Sequence, residues 1–68
     1  METTYKSMKI VSKPQPLRNG EWMPEARVFS LILNEIREQQ VLGQTPLQSK
    51  VLSDEASIQI ARKWIDSN

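Results

Sequence analysis

The chain has 68 residues, a net charge of +1, 38% hydrophobic and 25% charged residues, and neither cysteine nor histidine. That composition excludes disulfides, thiolate or imidazole metal ligands, a cysteine nucleophile and histidine acid–base chemistry. The modest charge and apolar content are those of a folded chain rather than a disordered one.

No stretch approaches the roughly 20 apolar residues needed to span a bilayer, and METTYKSMK lacks the apolar centre of a secretory signal. One soluble cytoplasmic domain over residues 1–68, with no membrane association, is therefore expected. A chain this short buries only roughly 60% of its extended surface, so it needs good packing or a partner. Charge is uneven: Lys6, Lys9, Lys13 and Arg18 face a single acid, Glu2, up to Gly20, whereas five cations face seven acids from Glu21 onward. This places a locally basic surface in the first third.

Tyr5 to Val11 is strand-sized and mixes Tyr, Met, Ile and Val with Lys and Ser. As a strand it directs Met8 and Ile10 to one face and Lys9 to the other. Pro14 and Pro16 oppose a continued ladder, so this strand ends near Ser12 or runs along an edge. Asn19-Gly20 then supplies a turn.

The stretch from Trp22 to Gln40 supports two readings. As a helix starting near Pro24, Val28, Phe29, Ile32, Leu33 and Ile36 share one side, and NEIREQQ holds good helix formers. As a strand, Val28 and Ile32 share one parity while Phe29, Leu31 and Leu33 share the other, a pattern suited to cover on both faces. Periodicity does not decide between them.

Gly43 and Pro46 break the chain again, and Leu47 to Leu52 reads as a short third strand. Ser53 then caps a helix over Asp54 to Asp66, with Asp54 and Glu55 complementing its dipole. Ile58, Ile60, Ala61, Trp64 and Ile65 form its apolar stripe. A mostly helical domain is the rival to a sheet covered by this helix.

Three short motifs bear on that choice. Pro16-Leu17-Arg18-Asn19-Gly20-Glu21-Trp22 has the form PL-x-x-G-x-W, Ser53-Asp54-Glu55-Ala56 is a helix start, and Trp64-Ile65-Asp66 closes the helix. In this order they resemble a group of small bacterial domains of unassigned function, built as three antiparallel strands followed by one helix. The resemblance implies an α+β fold, a three-stranded antiparallel sheet packed against one C-terminal helix. Pro24 and the long NEIREQQVLG connection depart from the group's pattern, and the group supplies no catalytic residue or ligand to carry over.

The residues offer little chemistry. Glu35 with Glu38, on a helix, would share a solvated side, and Asp54 with Glu55 is explained by the helix start. The serines and Lys50 form no recognisable nucleophile arrangement, and Gly20 and Gly43 make no phosphate-binding pattern. The chain reads as non-enzymatic, with no cofactor and no metal.

A protein-interaction module, with a homodimer as one form of association, is the expectation that asks least of the sequence. Met8, Ile10, Phe29 and Leu31 are its candidate core or interface residues, and an exposed strand edge is its candidate pairing element. The alternative is a nucleic-acid-binding module in which Lys6, Lys9, Lys13 and Arg18 meet phosphates and Tyr5 or Trp22 stacks on a base.

Overall fold

The computed structural model describes residues 1–67. Its strands are β1 (Glu2–Tyr5), β2 (Met8–Ser12), β3 (Gln15–Pro16), β4 (Trp22–Met23), β5 (Glu25–Ile32) and β6 (Glu35–Leu42), followed by the helix α1 (Lys50–Ser67). Four strands form an antiparallel sheet in the order β1-β2-β5-β6, and β3 pairs with β4 in a separate two-stranded ladder. The result is a small α+β domain with six strands in two sheets and one helix. This corrects the expected three-stranded sheet, and with it the implied membership of the β-β-β-α group.

Two hairpins account for the difference. Lys6 and Ser7 have φ of 49° and 65°, and Leu33 and Asn34 have φ of 51° and 65°. A two-residue turn with both central residues left-handed has the hand that matches strand twist. The first turn splits the expected Tyr5–Val11 strand into a hairpin, which leaves β2 in the sheet interior and makes β1 the edge. The second turns NEIREQQVL back as a full strand, paired residue by residue from Ile32–Glu35 to Glu25–Leu42.

The expected third strand is absent as a strand. Leu47 makes a single bridge to Trp22, through Trp22 N–H to Leu47 O (2.7 Å) and Leu47 N–H to Trp22 O (2.9 Å). The helix begins at Lys50, four residues before the expected start, because Ser49 Oγ accepts the Leu52 amide at 3.1 Å and caps it. Ser53 is therefore inside the helix and buried.

The Asn19–Gly20 turn closes the β3–β4 ladder. Gly20 has φ of 86°, its N–H donates to Leu17 O, and Leu17 N–H donates to Glu21 O at 2.7 Å. This is a three-residue loop with glycine in the left-handed position.

The core lies between one sheet face and α1. Ile10, Ala26 and Val28 project from β2 and β5 to meet Ile58, Ala61 and Ile65, with Tyr5, Met8, Val41 and Trp64 packed around them. Ala26 and Ala61 are both fully buried, and their small side chains let the helix approach the sheet closely. Each buried Ile or Val stabilises the fold by roughly 1.5–3 kcal/mol.

Buried serines tie the same helix to the strands by hydrogen bonds. Ser57 Oγ donates to Ser53 O (2.6 Å) and accepts the Glu25 amide (3.0 Å), while Ser12 Oγ donates to Asp54 Oδ1 (2.7 Å). These bonds satisfy polar groups that burial would otherwise leave costly.

Candidate functional site: the β5–β6 hairpin

β2 pairs with β5 only from Lys9–Phe29 to Ser12–Ala26. Beyond Phe29, β5 has β6 as its sole ladder partner, and the hairpin continues as a two-stranded ribbon to Leu33–Asn34. The molecule is correspondingly 43 Å long and only 17–18 Å across.

Hydrophobic burial has no hold on this ribbon. Leu31 is 68% exposed, Ile32 49%, Leu33 90% and Ile36 77%. Leu31 and Ile36 are directly opposite one another across the ladder and therefore share the face turned away from α1. Leu33 adopts a left-handed conformation that its Cβ disfavours by roughly 1–2 kcal/mol. A strained, exposed leucine beside three other exposed aliphatic side chains is a feature that folding alone does not explain.

The outer side of β6 is equally open. It is an edge strand, and all its residues except the half-buried Val41 are exposed. Eight consecutive pairs with β5 carry no bulge and no proline, two of the usual devices that blunt an edge. Gln39 Nε2 donates to Gln40 O at 3.2 Å, so one side chain occupies an acceptor on this edge.

The ribbon base is stiffened by polar contacts. Arg27 forms ion pairs with Glu38 across the ladder and with Glu25, whose Oε2 lies 3.6 Å from Arg27 Nε. Gln40 Nε2 donates to the same Glu25 oxygen at 3.0 Å. On the opposite face, a cleft of about 350 Å³ lies between the ribbon and the end of α1, lined by Met8, Val28, Ile32, Arg37, Trp64 and Ile65.

The sequence-selected residues divide as follows. Ile10 is fully buried in the core and Met8 packs against it, whereas Phe29 is half-buried on the sheet's other face and Leu31 is exposed on the ribbon. Lys6 is ion-paired with Asp66 (2.6 Å) and Lys9 with Glu2 (2.9 Å). Lys13 follows β2, and Arg18 lies in the β3–β4 loop, so the four cations do not share an element. Tyr5 donates to Asp66 and its ring lies beneath the Lys6 ammonium and the Arg62 guanidinium, while Trp22 is half-buried in β4.

Glu35 and Glu38 fall on opposite faces of β6, so the carboxylate pair considered for a helix does not form. Asp54 has a role that its place near a helix start did not indicate. Burial pushes its carboxyl up, but hydrogen bonds from Ser12 and Lys50 and the Lys50 charge outweigh that and hold it below the ordinary range. Among the described residues there is no group of three metal-capable side chains, and no helix is long and apolar enough to cross a membrane.

Sequence reasoning missed β6 and the residues of its outer edge. The available signal was Asn34, a residue tolerated in left-handed turns, between Ile32 and Ile36. Compared with protein-family models, with curated proteins and with solved structures, the chain matches none.

Proposed function

We propose that this chain is a non-catalytic protein-association module that binds a second copy of itself through the β5–β6 hairpin. The observation that carries the reading is the coincidence, on one hairpin, of an open eight-residue edge and four exposed aliphatic side chains. An edge strand offers main-chain donors and acceptors to another strand, and burial of the aliphatic side chains supplies the driving force. A second copy meets both needs with one surface, because the same strand can serve both sides of a two-fold interface. The reading needs no cofactor.

The reactive-looking side chains support a structural role. Ser12, Ser53 and Ser57 are buried and hydrogen-bonded, and Asp54 accepts from Ser12 and Lys50.

Sedimentation velocity over a concentration series tests the reading. A concentration-dependent rise from monomer to dimer mass is expected. Ile36→Lys, at a side chain the fold does not bury, is expected to weaken association at least about tenfold while leaving the far-UV circular dichroism unchanged. A monomer at every concentration overturns the proposal.

A further inference from the structure

Self-association through the β5–β6 hairpin, on which the following inference rests, requires two copies to align in one register, and the residues of β6 bear directly on that alignment. We infer that two copies join β6 to β6 in antiparallel fashion, with Gln39 on the two-fold axis, to form one continuous eight-stranded sheet.

The main chain restricts the alignments first. A two-residue turn at Leu33–Asn34 starts the ladder at Ile32–Glu35. Alternation along an antiparallel pair then turns the amide and carbonyl groups of Glu35, Arg37, Gln39 and Val41 towards β5, and those of Ile36, Glu38, Gln40 and Leu42 outward. The Gln40 carbonyl that accepts from the Gln39 side chain is one of these outward groups. A partner strand must therefore oppose outward residues with outward residues, which confines the axis to a residue of β6 and excludes positions between residues.

Side chains then select among the remaining registers. With the axis at Gln39, Ile36 lies opposite Leu42 of the other copy and Glu38 opposite Gln40, each pair occurring twice. All four outward residues are used, giving roughly eight main-chain hydrogen bonds. Ile36 and Leu42, 77% and 60% exposed in the single chain, become cross-strand partners on one face. Leu31, already opposite Ile36, extends that row inward on each side.

Every neighbouring register is worse. An axis at Glu38 sets two carboxylates opposite one another, and an axis at Arg37 does the same with two guanidinium groups, both repulsive. An axis at Gln40 or Val41 shortens the ladder and leaves Ile36 without an apolar partner. The symmetric arrangement also closes on itself, whereas pairing β6 with the four-residue β1 edge of another copy would continue into a filament.

Single-cysteine variants read the register directly, because the chain has no cysteine of its own. At the axis, Gln39→Cys places two thiols on facing residues of a non-hydrogen-bonded pair, within disulfide reach. Under mild oxidation of the full chain it is expected to convert mainly to the covalent dimer. Arg37→Cys and Val41→Cys are each separated from their own copies by roughly 13 Å, four residues along the strand. Neither is expected to cross-link alone, but a mixture of the two is expected to cross-link with each other.

Dimer mass by sedimentation together with cross-linking at Glu38→Cys or Gln40→Cys, and none at Gln39→Cys, overturns this register while leaving self-association standing. Monomer mass at every concentration, with no cross-link at any position, overturns both. Each variant is checked by circular dichroism: Arg37, Glu38, Gln39 and Gln40 are exposed, and Val41, half-buried against the core, is replaced by a side chain that is also small and apolar.

Discussion

Ser12 and Asp54, 42 residues apart in the chain, meet between β2 and α1 with Ser12 Oγ donating to Asp54 Oδ1 at 2.7 Å. Lys50 reaches the other carboxylate oxygen at 3.1 Å, so the first turns of the helix are clamped to the sheet by a charge-assisted bond. Asp54→Ala is expected to destabilise the fold by about 2–3 kcal/mol, because it removes a partly buried charged acceptor. Ser12→Ala is expected to cost less, about 1 kcal/mol, since Asp54 keeps Lys50. Urea unfolding of both variants measures the difference.

The same contact governs acid sensitivity. The folded-state carboxyl of Asp54 lies below its ordinary value, so its stabilisation is present above the unfolded pKa of about 3.9 and is lost as pH falls through the folded value. Unfolding experiments at falling pH should show the parent chain losing stability below about pH 4. Asp54→Asn, which removes the titrating group, should start less stable and decline less over the same window. Equal declines for the two chains would falsify the assignment.

The two glycines fail for different reasons when substituted. A Cβ on Gly43 would lie 2.9 Å from Pro24 Cβ and 3.1 Å from its carbonyl oxygen, so Gly43→Ala forces apart two packed segments. A loss of about 1–3 kcal/mol is expected, and Asn at this position should be no better. Gly20 faces open space but has φ of +86°, so Gly20→Ala should cost about 1 kcal/mol and Gly20→Asn should recover part of it. Thermal unfolding of the four variants separates steric from torsional strain.

Leu33 is the reverse case. It combines a left-handed φ of 51° with 90% exposure, so little in the single chain rewards leucine there. Leu33→Asn is expected to raise stability by about 0.5–1 kcal/mol, since asparagine accepts this conformation more readily. Unfolding measured at a concentration low enough to hold the chain monomeric checks this.

The terminal helix was legible because its apolar residues recur at helical spacing and face a single core. Its start was not. Ser49, Ser53 and Asp54 are all plausible caps locally, and only the packing of Ser53 and Asp54 against Trp22 and Ser12 placed them inside the helix. The β5–β6 hairpin was hidden for a different reason. A strand exposed on both faces needs no alternation of apolar and polar residues, so β6 carries Glu, Arg and Gln that suit a helix equally well.

Composition and pattern alone determined that the chain has no cysteine or histidine chemistry, that its last quarter is helical, and that Asn19-Gly20 turns. Those features depend on side-chain inventory and on preferences a few residues long. The number of strands, the edge identity and the exposure of Leu31, Leu33 and Ile36 were decided by tertiary structure. They follow from which segments pair across the sheet and where α1 ends, and the sum of long-range burial and ladder hydrogen bonds overrides local helix preference in NEIREQQ.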